Sequence, residues 1–314
     1  MAQAEDLFKK SKINEWKYIF LVSNPIAVFI SKMLIEKFNL DKDNIHVFSL
    51  RNTDASLISK NFIKIFPKKT DSLLDKIFWD SHVGKRILKK IPSKKYILFT
   101  EWACREAEKI ISHNDCVSHV YIEMGQHSYL NIPQFSPKEL SIKDKFMKNW
   151  KNRLSPVDEL AHYYFRDDAY LFVGMMEDVF PMISQDKKLI LDNYLSLKKF
   201  YRPKLLGSKI IGLTCASRRI ERNNWEQMIN KLLDNLPQGS LIKVHPSFYA
   251  NEKIFNDFRN IFNKVSQGNY HLCPNEVILE LEILFEKKVF YGSKTALSKY
   301  ANFIGSKFNL VTLY

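Results

Sequence analysis

Three short stretches combine side chains able to move a proton or hold an anion, and each follows an apolar run. In Tyr121-Ile-Glu123-Met-Gly125-Gln-His127 a carboxylate closes the run and a glycine turn follows. A carboxylate so placed suits a general base, and it equally suits a capping or solvent-facing Glu. Leu241-Ile-Lys243-Val-His245-Pro246 ends its run on an imidazole. Proline lacks an N–H and does not continue a ladder, so His245 falls at the edge of a sheet, with Lys243 one pleat repeat earlier. A plain loop histidine would read the same way. Val289-Phe-Tyr-Gly292-Ser293-Lys294-Thr295-Ala-Leu297 carries two hydroxyls and an ammonium at the start of a helical pattern. Backbone N–H groups there can cradle a phosphate, while an ordinary serine N-cap is the simpler use. It is not a P-loop, because the first glycine of GxxxxGK[ST] is missing.

These stretches sit in an alternation of strands and helices. Tyr18–Ser23 reads as a buried parallel strand, and Asn24-Pro25 supplies an N-cap and a first-turn proline. Ile26, Phe29, Ile30, Met33 and Leu34 follow at helical spacing, and Ile45–Leu50 is the next strand. Strands are expected at Tyr96–Thr100, Val117–Ile122 and Ala169–Val173, with a helix from Trp102 to Ile111. Helical periodicity runs through Leu189, Ile190, Tyr194 and Leu197, within a lysine-rich polar stretch from Ser184 to Gly207. A second alternation begins at Lys209–Thr214. It continues through helix Asn224–Leu236, strand Ser240–Val244, helix Ile254–Val265, strand Tyr270–Leu272 and helix Glu276–Leu284. Strand Lys288–Tyr291, helix Thr295–Phe303 and strand Leu310–Leu313 complete it. The pattern predicts an α/β protein of two Rossmann-like domains, 1–190 and 191–314, with ligands at strand ends.

Composition narrows the partners. With 46% hydrophobic and 13% aromatic residues, the 314-residue chain has ample material for two cores and is not disordered. A net charge of +14 favours anionic partners: nucleic acid, acidic membrane, or phosphorylated and carboxylated substrates. Cys104, Cys116, Cys215 and Cys273 form no CxxC pair, and without a secretory leader they read as reduced thiols of a cytoplasmic protein. The longest apolar stretch, Tyr18–Ile35, is interrupted by Asn24-Pro25 and Lys32, so a membrane role is expected to be peripheral. Ser136–Arg153 interleaves basic residues with Phe146, Met147 and Trp150, which fits an anionic membrane surface or a solvated helix.

The order of the three stretches resembles the bacterial sialyltransferases of GT-B fold, the lipooligosaccharide and polysialic-acid enzymes. Those carry an acidic-acidic-glycine motif in the first domain, then His-Pro and Ser-Ser or Ser-Thr motifs in the second. Glu123-Met-Gly125, His245-Pro246 and Ser293-Lys294-Thr295 stand in the corresponding places. The resemblance implies two facing Rossmann-like domains with a cleft between them, the first on the acceptor side and the second binding the donor. It implies Glu123 as the base and His245 as the group that stabilises or protonates the departing CMP. Ser293, Lys294 and Thr295 would hold the phosphate, Pro246 would shape the turn, Lys243 would lie near the cytidine or its phosphate, and Glu276 of Cys273-Pro-Asn-Glu276 would reach the ribose. Met124 stands where the family has its second acid, which leaves Glu123 to serve alone on this motif.

The implied activity is inverting transfer of sialic acid or a related nonulosonate from its CMP donor to a hydroxyl of an oligosaccharide, lipooligosaccharide or capsule acceptor. A single phosphate can be managed by hydroxyls, a helix N-terminus, His and Lys, so no metal or cofactor is expected. Asp167-Asp168 is adjacent rather than spaced as in DxD and precedes a strand. The nearest alternative is a Kdo or other GT-B sugar transferase. A non-catalytic GT-B-like domain or a basic nucleic-acid- or glycan-binding protein is the reading from another class. Nucleic acid is not the expected partner, because lysine is spread along the chain and no binding module is present.

Overall fold

The computed structural model describes residues 2–50, 53–65, 83–92, 94–101, 105–132, 134–135, 165–216, 220–250 and 252–313. They form two compact units, Met1–Leu197 and Lys198–Tyr314. The basic stretch 136–153, Trp102 and Cys104 lie outside the described residues.

The first unit is built on a parallel sheet. In chain order its strands are β1 (Lys17–Val22), β2 (Ile45–Ser49), β3 (Ile63–Lys64), β4 (Tyr96–Glu101) and β5 (Cys116–Ile122). A two-residue ladder joins β6 (Gln134–Phe135) to β7 (Phe165–Arg166), and β8 (Leu171–Gly174) and β9 (Lys188–Ile190) complete the main sheet. The sheet order is β3-β2-β1-β4-β5-β8-β9, with every pairing parallel. β1 and β4 are apolar almost throughout because both faces of a parallel sheet are covered. Asn24 Oδ1 accepts from the Ala27 N–H at 3.0 Å and opens helix Pro25–Phe38, which ends at Asn39 in the left-handed region. That helix is buried from Ile26 to Ile35, wider than one apolar stripe, and the interior Lys32 pairs with Glu36 at 3.0 Å. Tyr121, Phe165, Phe172 and Phe180 meet edge to face or tilted at centroid distances of 4.9–5.4 Å, fastening β5 to β8.

The second unit has β10 (Ile210–Leu213), β11 (Leu241–Lys243), β12 (His271–Leu272), β13 (Val289–Gly292) and β14 (Lys307–Leu310), in the order β12-β11-β10-β13-β14. All are parallel. Helices Trp225–Leu233 and Glu252–Ser266 bury Trp225, Met228, Ile229, Phe258 and Phe262 against Ile242, Val244 and Phe248.

Three expectations change. The helical periodicity around Leu189 and Ile190 is strand β9, held by its parallel ladder to β8; three residues are too few for periodicity to separate the two states. Glu276–Leu284 shortens to one helical turn, Leu279–Glu282. The last strand is Lys307–Leu310 rather than Leu310–Leu313, because Gly305 ends helix Ala296–Ile304 and the chain pairs at once with β13. As an edge strand it is half exposed and lacks the apolar run that marks a buried one.

At the end of β7 and in the turn that leads to β8, Arg166 grips Asp168 through two bonds of 2.9 and 2.7 Å and reaches Glu108 at 3.1 Å. His119 is buried beside them, with Nε2 3.7 Å from Asp168. Burial pushes the His119 imidazole down to about 4, and the Arg166 hydrogen bond holds Asp168 below the usual carboxylate range. Both groups bind their protons less readily folded than unfolded. Stability is therefore full above the ordinary imidazole range and falls as pH drops from about 6.5 towards 4. Urea unfolding at a series of pH values is expected to show a slope approaching about 1.4 kcal/mol per pH unit in that window, and His119→Gln is expected to flatten it.

Candidate functional site

At the carboxyl edge of the first sheet, Glu123 follows β5 directly and is completely buried. Its own N–H donates to the Val173 carbonyl at 2.8 Å, so the β5–β8 ladder continues one residue further and fixes the backbone. The Met175 N–H donates to Oε2 at 2.8 Å and the Tyr129 hydroxyl donates to Oε1. Gly125, at φ +102°, turns the chain away where a side chain would be strained. Ser128 Oγ then accepts from the Met124 N–H at 2.9 Å and holds the turn that carries Tyr129.

A second carboxylate stands one strand over, and sequence reasoning missed it. Glu101 ends β4, at the level of Ile122 in the register, and is buried. The Ser23 hydroxyl donates to Oε2 at 2.6 Å and the Ser23 N–H donates to Oε1. β1 and β4 mark the point where strand order reverses, the place where open α/β sheets receive ligands. The signal was present in Tyr96-Ile-Leu-Phe-Thr-Glu101, an acid closing an apolar run as Glu123 does.

In the second unit the reversal lies between β10 and β13. Leu213 of β10 is level with Lys243 of β11 on one side and Gly292 of β13 on the other. Thr214, His245 and Ser293 therefore emerge from three adjacent strand ends, with the outer two separated by about 10 Å at the usual strand spacing. Thr214 Oγ1 accepts from the His245 N–H at 2.9 Å. Ser247 N–H donates to His245 Nδ1 at 3.1 Å, and Ser247 Oγ lies 2.9 Å from the same nitrogen. A neutral ring whose Nδ1 accepts carries its hydrogen on Nε2, so His245 is set as an Nε2–H donor. Thr214 and Ser247, which set it, were not legible beforehand.

Thr295 is the N-cap of helix Ala296–Ile304, yet its hydroxyl makes no capping bond. Ser293, 7% exposed, is buried, and neither Ser293 Oγ nor Thr295 Oγ1 has a hydrogen-bond partner among the described residues. The simple serine-cap alternative thus does not hold. Buried hydroxyls are normally paired, and two unpaired ones at a helix N-terminus form a place for an acceptor-rich group such as phosphate. Lys294 between them is exposed.

Lys243 donates to the carbonyls of Pro274 and Asn275 at 3.0 and 2.7 Å, tying the β11 end to the loop after β12, and burial lowers its pKa. Glu276 is exposed and pairs with Lys204 at 3.3 Å; Pro246 is exposed. Glu123 belongs to the first unit and the other candidates to the second.

Solved structures similar to this one place the architecture. The S. aureus MnaA–UDP co-structure matches with a TM-score of 0.53 over 95% of this chain and 80% of that one, at 11% identity. The fold is GT-B. At such identity the likeness speaks to the fold alone. A UDP-GlcNAc 2-epimerase from Neisseria meningitidis bound to UDP-GlcNAc matches with a TM-score of 0.48 and 14% identity, covering 93% of this chain and 81% of that one. A sialyltransferase from Photobacterium damsela matches with 0.41 and 11%, covering 89% and 70%. These two are too loose to carry weight. No family model and no curated protein matches the sequence.

Because the Ser293 hydroxyl is buried without a partner, Ser293→Ala is expected to leave folding intact or raise stability by up to about 1 kcal/mol, while weakening binding of a nucleoside monophosphate. Chemical denaturation and calorimetric titration with CMP read the two effects separately. A clear loss of stability would mean that the hydroxyl is structural.

Proposed function

We propose that this chain is an inverting glycosyltransferase that moves sialic acid or a related nonulosonate from its CMP donor to a glycan hydroxyl, without a metal. The observation that carries the reading is the pair of buried hydroxyls of Ser293 and Thr295, unpartnered among the described residues, at strand and helix ends of the same sheet edge as an Nε2–H donor, His245. Every one of these groups can donate, and none is acidic, so they favour an anion. The order of Glu123-Met-Gly125, His245-Pro246 and Ser293-Lys294-Thr295 supports the choice of a CMP-linked donor.

In this scheme the acceptor oxygen attacks the anomeric carbon as the bond from that carbon to the CMP phosphate breaks. The acceptor proton passes to Glu123, whose orientation is fixed by the Met175 N–H and whose Oε1 accepts from Tyr129. The acceptor hydroxyl would take the Tyr129 position on Oε1, since the carboxylate is otherwise fully covered. Charge gathering on the departing phosphate is met by His245 Nε2–H, the two hydroxyls, Lys294 and the helix N-terminus. Pro246 turns the chain after His245, while Lys243 and Glu276 serve the nucleoside end. No helix among the described residues is long and apolar enough to cross a membrane. A peripheral station at the cytoplasmic face, near a glycolipid or capsule acceptor, completes the reading.

Glu123→Gln keeps an acceptor for the Met175 N–H and removes the base. It is expected to lower transfer by about 10²–10⁴-fold and to leave the CMP dissociation constant within about twofold. Mass spectrometry of products from CMP-activated sugars, beside calorimetry with CMP, checks both arms. Parallel loss of catalysis and CMP binding would remove Glu123 from the base role. Activity is expected to survive EDTA, and a strict divalent requirement would defeat the metal-free scheme.

A further inference from the structure

The second unit opens on a run that the proposed reaction does not use. Residues 198–209 hold Lys198, Lys199, Arg202, Lys204 and Lys209 and no acidic residue. All five side chains are exposed. Within the run Leu205–Ser208 makes a tight turn: the Ser208 N–H donates to the Leu205 carbonyl at 3.2 Å. Gly207, at φ +83°, takes the left-handed third position. Leu205 points inward, whereas Leu206 at the tip is 64% exposed.

This turn is pinned by buried charges. Glu282 accepts from the Tyr201 hydroxyl at 2.6 Å, the Lys204 N–H at 2.8 Å and the Leu205 N–H at 3.0 Å. Lys288 donates to the carbonyls of Leu205 and Ser208 at 2.8 and 3.1 Å and to Glu286 at 3.0 Å. Glu286 in turn accepts from the Gly207 N–H at 3.0 Å. Glu282 and Lys288 are nearly inaccessible, and a buried carboxylate and ammonium are tolerated only with such pairing. A lone exposed leucine is ordinary. A leucine held rigidly at a turn tip, inside a cationic run with no acid, is a different arrangement. Three of the cations also have local partners: Lys204 reaches Glu276, Lys198 lies 5.7 Å over the Phe285 ring, and Lys199 lies 4.8 Å over the Phe200 ring.

We propose that the Leu205–Ser208 turn is a membrane-contact loop, with Leu206 entering the headgroup–acyl boundary of an anionic bilayer and the flanking cations meeting lipid phosphates. An apolar tip among cations needs a partner that is anionic at its surface and apolar just beneath. Nucleic acid offers the first without the second. The inference stands whether or not the chain transfers a sugar.

Co-sedimentation of the full chain with vesicles tests it, using phosphatidylcholine alone and phosphatidylcholine mixed equally with phosphatidylglycerol. Binding is expected only to the mixed vesicles, and to fall with salt. Leu206→Ser is expected to weaken it about tenfold, and Arg202→Gln and Lys209→Gln about fivefold each. Leu195→Ser, at an exposed leucine of the first unit, is expected to change nothing. These side chains are exposed, so thermal melts should match the wild type. Equal binding to neutral vesicles, no binding at all, or full binding by Leu206→Ser would each overturn the proposal; the last would put the contact elsewhere, as on the basic stretch 136–153.

Discussion

Where β10 passes β13, the Leu213 carbonyl and the Gly292 backbone lie so close that a Cβ on Gly292 would sit 2.7 Å from the carbonyl oxygen. Gly292 admits that approach, β13 runs parallel to β10, and every strand of the second sheet delivers its carboxyl end to one edge. The chemistry follows from this edge. Apolar residues fill most of each strand, and polar ones gather at or just past the carboxyl ends: Thr214, His245 and Ser293 here, Glu101 and Glu123 in the first unit.

The two edges differ in what they offer. In the first unit the polar groups are acceptors already served: Glu123 by Tyr129 and Met175, Glu101 by both donors of Ser23. A carboxylate oriented this way keeps one geometry. In the second unit Ser293 and Thr295 are donors with nothing to bond. An unpaired buried hydroxyl costs about 1–3 kcal/mol, a penalty that folding alone gives no reason to keep. The contrast between an acceptor edge and a donor edge is the electrostatic division that the proposed transfer from an anionic leaving group would use.

The surplus of positive charge has several destinations rather than one. Lys288 and Lys243 are spent on backbone carbonyls inside the second unit, and Lys32 on Glu36 inside the first. Their ammonium groups hold loops and helices in place and contribute nothing to a surface field. Other lysines stay exposed, among them the cations of the run 198–209.

Most of the fold was legible from local pattern. Buried parallel strands read as apolar runs, Asn24-Pro25 marked a helix start, and Gly125 and His245-Pro246 marked strand ends, because each depends on a residue and its near neighbours. β9 and β14 escaped, since short edge strands are defined by the partner they pair with. Site residues followed the same rule. Glu123, His245, Ser293 and Thr295 announced themselves by standing just past an apolar run, and Glu101 carried the same mark. Chain-local sterics and burial were enough to read off two alternating α/β halves, their parallel character and the chemical types at the strand ends. That Thr214 and Ser247 orient His245, that Lys243 is tied to a loop, and that the Ser293 and Thr295 hydroxyls have no partner among the described residues came only with the folded chain. Hydrogen-bond satisfaction depends on what the rest of the chain brings within about 3 Å, and no neighbour in sequence records that.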